Sequence, residues 1–406
     1  MRNSDSSKQR NRLLAIDPYF GGSHRAFLEN LKELSTHDWE LQTGEPRFWK
    51  WRMRSFPLSL AEKQRKLWRA ASPDDITLPD AILATSMLDL PCYLGHLSQS
   101  LADPQATQAE KRYCQHLLNI PTAVYFHENQ LTYPISPKSK PDFHYGYSNL
   151  CSALMASEVW FNSDYHRKAF INASIQFVAK MPDNHGIHQL EKLEDKSRVL
   201  PPGFRWVGTP EYARAKAELQ IPDSMSGEPL RIGWVARWEY DKRPDRFVEL
   251  LAKLDRDGYA FQLILLGPRS DDFSELKIIE EHYADKILFN AKAESTEDYR
   301  SWLQQMDYVI STADHEFFGI GVCEAISAGA IPVLPKDQSY PELVPAECLY
   351  KNDDEAIEII RNNINLKERR STKIACQEHL KKFESQRCVE RIDLAASRII
   401  DQCKSR

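Results

Sequence analysis

Short apolar runs alternate with amphipathic segments from one end of the chain to the other. The runs at 12–17, 80–85, 122–126 and 158–162 are five or six residues long and bounded by turn or polar residues. They are continuous rather than alternating, as strands covered on both faces must be. Segments of helical spacing lie between them. One runs from a Gly-Gly turn to about Leu34, others cover 88–101 and 145–157, and another opens at Asp164, a residue suited to a helix N-cap. The pattern lapses over 208–229, which carries Pro210, Pro222 and Gly227, and then restarts. Strand-like runs follow at 230–235, 261–267, 287–289, 307–311 and 331–334, with a helix over 245–256. Strand-helix alternation on both sides of a Pro/Gly linker predicts an α/β protein: two Rossmann-like, doubly wound domains facing a central cleft.

Composition narrows the classes. At 406 residues the chain exceeds one ordinary core and suits two domains. No apolar run approaches the roughly 20 residues of a membrane span, and the polar tail 1–12 lacks the apolar centre of a signal peptide, so a cytoplasmic protein without membrane partners is expected. The eight Cys are scattered with no Cys-x-x-Cys pair, which argues for reduced thiols and for no metal site. A net charge of −5 excludes a general polyanion binder; any nucleic-acid site must be a local patch.

The strongest chemical signal is the stretch 311–325, Ser-Thr-Ala-Asp-His-Glu-Phe-Phe-Gly-Ile-Gly-Val-Cys-Glu-Ala. A strand leads into a polar turn, and Gly319 and Gly321 open a helix expected over 322–328. Such a junction presents free amide N–H groups and the positive end of a helix, so Phe318, Gly319 and their neighbours suit a phosphate. Glu316 and Glu324 flank it, too far apart for paired glycosidase carboxylates, and should grip different ends of one long ligand. In the turn after the strand at 230–235, Arg237 and Lys242 can neutralise a diphosphate. The pair Gly21-Gly22, between a first strand and a first helix, lets backbone approach a phosphate. His127, Glu128 and Asn129 follow a strand end, where an open α/β sheet places its ligand.

One stretch runs against the acidic balance. Between Arg47 and Arg69 there are eight Lys or Arg and a single acid, Glu62, interleaved with Trp49, Trp51 and Phe56. Aromatics among cations can stack on bases and neutralise phosphates, which singles out Trp49, Lys50, Trp51, Arg52 and Arg54. Buried Trp anchors with a solvated cationic rim would read the same way in sequence.

The Glu-x7-Glu spacing, with Phe-Phe-Gly after the first Glu, resembles the donor site of retaining GT-B glycosyltransferases of family four. Longer segments are more specific: Ile16-Asp17-Pro18-Tyr19-Phe20-Gly21-Gly22-Ser23-His24, Phe126-His127-Glu128-Asn129-Gln130, Asp142-Phe143-His144-Tyr145-Gly146-Tyr147, Arg237-Trp238-Glu239-Tyr240-Asp241-Lys242 and Tyr340-Pro341-Glu342. Together, from about Leu13 to Tyr350, they resemble the tRNA-queuosine α-mannosyltransferase family. The resemblance implies a GT-B enzyme that transfers mannose from GDP-mannose to queuosine in a tRNA anticodon of the tRNA-Asp type, with retention and no metal. It implies that Glu324 holds the nucleotide ribose and Glu316 the mannose hydroxyls, with His127 at the sugar, and that Arg237 and Lys242 face the leaving diphosphate. Glu128 and Asn129 then fall on the acceptor side with the basic stretch. The linker at 208–229 sets domains at 13–207 and 230–386, and the resemblance implies that a last helix, 387–406, crosses back to the first. A glycan, lipid or small-molecule acceptor is the alternative within the fold. A non-catalytic RNA-binding protein on a decayed glycosyltransferase fold is the alternative outside catalysis.

Overall fold

The computed structural model describes residues 10–72, 77–134, 142–183, 187–208, 229–268 and 273–405. The tail expectation for residues 1–9 and the linker expectation for 209–228 lie outside the described residues. The chain divides into two compact units, Met1–Pro202 with Ser385–Arg406, and Gly203–Glu384.

In the first unit six parallel strands stand in the order β2-β1-β3-β4-β5-β6, namely β1 (Arg12–Asp17), β2 (Asp38–Thr43), β3 (Ala81–Thr85), β4 (Thr122–Phe126), β5 (Glu158–Phe161) and β6 (Ser197–Val199). The four inner strands are buried along almost their whole length, which is why they read as continuous apolar runs. Helices α1 (Gly22–Leu34), α2 (Trp49–Ala70), α3 (Leu90–Ala102), α4 (Gln108–Asn119), α5 (Phe143–Met155), α6 (Asp164–Val178) and α7 (Ile187–Asp195) connect them. The terminal helix Ser385–Lys404 belongs to this unit. Its Val389, Ile392, Ala396, Ile399 and Ile400 pack with Leu13, Phe27, Trp39 and Trp160, and the Arg398 guanidinium donates to both oxygens of the buried Glu158 at 2.9 and 3.0 Å.

The second unit repeats the plan. Strands β7 (Leu230–Val235), β8 (Phe261–Leu266), β9 (Ile287–Ala291), β10 (Tyr308–Ile310), β11 (Ile331–Pro335) and β12 (Leu349–Tyr350) stand in the order β12-β11-β10-β7-β8-β9, again all parallel. Helices α8 (Pro244–Arg256), α9 (Ser274–His282), α10 (Thr296–Gln305), α11 (Ile320–Ser327), α12 (Tyr340–Leu343), α13 (Asp353–Asn362) and α14 (Leu366–Leu380) complete it.

Both sheets reverse their winding direction once. The chain moves outward from β1 to β2 and then returns to the other side of β1 for β3; likewise it runs β7-β8-β9 and returns beside β7 for β10. At such a reversal the connecting loops diverge and leave a crevice beyond the strands' carboxyl ends, where open α/β sheets bind ligands. The residues of interest cluster at these two points.

Candidate active site

At the β7/β10 reversal a cavity of about 80 Å³ is lined by Trp234, Val235 and Ala236 from β7 and its end, Ile310 and Ser311 from β10 and its end, then Lys242, Glu316, Gly319–Val322 and Tyr340. Two loops build it and are stitched to each other. The Thr312 hydroxyl donates to the carbonyls of Lys242 and Arg243, both at 2.9 Å, and the Asp314 N–H donates to the Asp241 carbonyl. The carboxylate of Asp314 accepts from Arg243 at 2.6 Å and from Arg246 at 2.7 Å.

This frame fixes Lys242. Its ammonium donates to the His315 carbonyl at 2.8 Å and to Glu316 Oε2 at 3.1 Å, with Asp241 Oδ2 at 3.3 Å. Burial pushes the Glu316 carboxyl up, but the Lys242 charge and hydrogen bond outweigh it and hold the group below its ordinary value. The result is an ionised carboxylate beside a cation at the start of α11.

The helix start itself depends on glycine. Gly319, at φ 91°, is the N-cap of α11 in the left-handed region that a side chain strains to adopt, and a Cβ on Gly321 would come within 2.8 Å of Val235. The helix opens at Ile320, two residues before the expected position, because Gly319 and not Gly321 turns the chain. Gly319 makes no side-chain cap, so among the described residues the N-terminal N–H groups of α11 are left without that partner, an arrangement suited to an anionic ligand. The Phe318 side chain is buried in the core, edge-on to Phe383 at 5.5 Å, and its backbone N–H helps to hold the Glu316 carboxylate below its ordinary value.

Glu324 sits on α11 and accepts from the Tyr299 hydroxyl at 2.8 Å. Burial pushes its carboxyl up to about 7 despite that hydrogen bond. An unfolded carboxyl ionises near 4.5, so the folded form retains a proton between about pH 4.5 and 7 that the unfolded chain has lost, and stability falls as pH rises through this window. Glu324→Gln should remove that fall. Relative to wild type, it should gain about 1–3 kcal/mol more at pH 8 than at pH 5 in chemical denaturation; an equal difference at both values would mean that the carboxyl titrates normally. Arg237 is not among the cavity-lining residues; its side chain is 57% exposed and pairs with Glu239 at 3.1 Å.

At the β1/β3 reversal the first unit holds a chain of charges. Asp17, fully buried at the end of β1, accepts from Tyr19 N–H and the Thr85 hydroxyl, both at 3.0 Å, and from His24 Nδ1 at 3.1 Å. His24 Nε2 donates to Glu128 Oε2 at 3.2 Å. Burial opposes charge on this imidazole, but the two carboxylates win and raise it to about 10. The His127 ring lies tilted against it, ring centroids 4.0 Å apart. Burial, and then the charge of His24, keep His127 neutral, and its Nε2 is buried with no hydrogen-bond partner among the described residues. Gly22, at φ 53°, begins α1 beside this cluster, and a Cβ on Gly21 would strike Pro46 at 2.4 Å.

Three of the sequence-marked features have partners of their own in the fold. Asn129 is spent on its own loop: its carbonyl accepts from Leu131 N–H and Thr132 N–H, and its amide donates to the Thr132 hydroxyl. Glu128 accepts from His24 through Oε2. The basic stretch is helix α2, and in its far half Arg65 and Arg69 are structural: both bind the buried Glu110, and Arg69 binds Asp103 at 3.0 Å. The first turns, Trp49 to Arg54, keep their cations beside exposed aromatics. His24, Asp17, Tyr299 and Tyr340 were missed as site residues, although His24 and Tyr340 stand in segments that carried the resemblance.

Comparison with known proteins agrees with this layout. The family model described as tRNA-queuosine alpha-mannosyltransferase N-terminal matches residues 12–204, and that described as glycosyl transferases group 1 matches 218–371. A Drosophila melanogaster tRNA-queuosine alpha-mannosyltransferase is 31% identical over 349 residues, 84% of each chain. The chain belongs to the tRNA-queuosine alpha-mannosyltransferase family. It is a glycosyltransferase, a hexosyltransferase with the GT-B fold. A GDP-mannose:cellobiosyl-diphosphopolyprenol alpha-mannosyltransferase of Xanthomonas oryzae is 35% identical over 105 residues, 25% of this chain and 27% of that one. Among solved structures, sucrose-phosphate synthase from Thermosynechococcus elongatus superposes with a TM-score of 0.67 at 14% identity, over 97% of this chain and 100% of that one, a likeness of fold.

Proposed function

We propose that this protein transfers mannose from GDP-mannose to the cyclopentenediol of queuosine in a tRNA anticodon, with retention at the anomeric carbon. The observation that carries the donor half is the Lys242–Glu316 pair on the cavity where α11 begins with uncapped N–H groups. Charge develops on the phosphate oxygen as GDP leaves, and a fixed ammonium with helix amides stabilises it without reorganising. Arg237, largely exposed, adds a second cation. Glu324 takes the ribose, Glu316 accepts from mannose hydroxyls, and His127 presents its unpartnered Nε2 to the sugar. Gly21 and Gly22 offer amides of the first unit to phosphate, and the departing phosphate oxygen takes the acceptor's proton. The acceptor half is supported by the named activity of the Drosophila relative. No helix among the described residues is long and apolar enough to cross a membrane, and a cytoplasmic location suits a tRNA substrate.

Thermal unfolding with sugar nucleotides tests the donor assignment. GDP-mannose at about 100 times its Kd should stabilise the chain by about 2.7 kcal/mol, with UDP-glucose giving far less; the reverse order would overturn the choice of donor. On the acceptor side, Lys50, Arg52 and Arg54 lie in the first turns of α2 and are assigned to anticodon-arm phosphates, with Trp49 or Trp51 stacking near the modified base. Neutralising the three cations together should reduce the salt slope of tRNA binding by roughly one unit for each phosphate that is no longer neutralised, and leave GDP-mannose affinity unchanged. An unaltered slope in a folded protein would place the RNA elsewhere.

A further inference from the structure

Helix α5 begins against the first turns of α2 and beside the end of α6, and that meeting point is unusually aromatic on the outside. Tyr145 lies edge-on to Trp49 at 5.2 Å, and the Arg54 guanidinium lies over the Tyr145 ring at 5.0 Å while donating to the Ser148 hydroxyl. The Lys50 ammonium lies over Trp49 at 5.6 Å. On the other side of α5, Phe143 and Tyr147 approach Phe177 of α6 at 5.9 and 6.2 Å. Four rings of this region face solvent: Phe48 is 72% exposed, Trp51 67%, Phe143 61% and Tyr147 53%.

Such a concentration of exposed rings costs solvation without helping the core. Phe48 also stands at φ 54°, a left-handed conformation that a bulky residue adopts only under constraint. Arg47, Lys50, Arg52 and Arg54 stand against three acids, Glu45, Asp89 and Asp142, the last of which caps α5 by accepting from His144 N–H. Arg47 and Arg52 share one exposed acid, Glu45, while Lys50 and Arg54 lie over ring faces, Arg54 with Asp89 at 3.7 Å.

We infer that the N-terminal turn of α5, with Phe143, Tyr145 and Tyr147, is a second wall of the RNA site: unpaired nucleotides of the tRNA loop stack on Phe143 and Tyr147. The α2 residues hold the flanking backbone. An unpaired loop, and not a duplex, is the occupant, because rings bind the open faces of unstacked bases, which a duplex hides. This rests on the tRNA reading above and gives a binding role to residues that in sequence were only part of a motif.

The test uses the full chain with Phe143→Ala, Tyr147→Ala and the double variant, measuring Kd for a queuosine-containing tRNA and for a separate anticodon stem-loop. Each ring should contribute roughly ten-fold to affinity, and the double variant should weaken binding of both RNAs close to one hundred-fold. KM for tRNA should rise with kcat unaltered, and GDP-mannose should stabilise the variant as it does wild type. RNA affinity within two-fold of wild type, in variants with an unaltered unfolding midpoint, would overturn the inference. So would loss of binding to phosphatidylserine vesicles with RNA affinity retained, since the patch would then serve a membrane surface. Should wild type itself not bind tRNA, the acceptor reading fails first, a result distinct from either.

Discussion

Lys242→Ala is expected to lower kcat/KM by on the order of 10²–10³-fold, the loss typical when one preorganised charge donor is removed from a transition state. The effect falls on kcat, because the ammonium stabilises charge that appears only as the nucleotide departs. Lys242→Arg should recover little. The ammonium fits a compact site between the His315 carbonyl, Glu316 and Asp241, which a planar guanidinium cannot reproduce. Removing the cation also leaves the Glu316 and Asp241 carboxylates facing each other, so unfolding must be measured alongside. Arg237→Ala, at a largely exposed side chain paired with Glu239, disturbs the fold less and should cost about 10²-fold. Activity within a few-fold of wild type in both variants would place the leaving-group site elsewhere.

The second large effect is on stability. Asp17→Ala should destabilise the first unit by about 3–5 kcal/mol, because it removes one counter-charge of a buried, protonated imidazole and strands the hydrogen bonds of Tyr19 and Thr85. An unfolding midpoint lower by roughly 10 °C is the expected reading. The pH dependence identifies the cause. The folded pKa of His24 is raised above its unfolded value, so the stability it contributes is complete below about pH 6.5 and disappears as pH rises towards about 10. Wild type should show this alkaline decline, and Asp17→Ala should have lost most of it. Asp17→Asn, which still accepts from Tyr19 and Thr85, should cost less yet flatten the same limb. A variant that keeps the full alkaline decline would show that the charge on His24 owes little to Asp17.

The α/β class and the donor loop were legible because their signals are local. Inner strands buried on both faces must be apolar throughout, and Gly319 and Gly321 mark a strand-to-helix turn whatever else surrounds them. The edge strand β2 was missed since Asp38-Trp39-Glu40-Leu41-Gln42-Thr43 is only partly buried and carries no clear run. Pairings across long separations were also hidden: Lys242 meets Glu316 74 residues away, and Glu128 meets His24 across 104. No periodicity reports that. The basic stretch misled by half, because composition cannot tell Arg65 and Arg69, neutralised by Glu110, from Lys50 in solvent. The turn that Asn129 holds was hidden for a related reason: an Asn at a strand end serves a ligand or its own turn with the same neighbours in sequence.

Incubation of the protein with bulk queuosine-containing tRNA and a panel of sugar nucleotides, followed by nucleoside mass spectrometry, tests donor and acceptor together. One added hexose on queuosine, dependent on GDP-mannose and absent from queuosine-free tRNA, is the expected product. Unchanged queuosine with protein that is folded and stabilised by GDP-mannose, or a hexose delivered equally to queuosine-free tRNA, would contradict the proposed transfer.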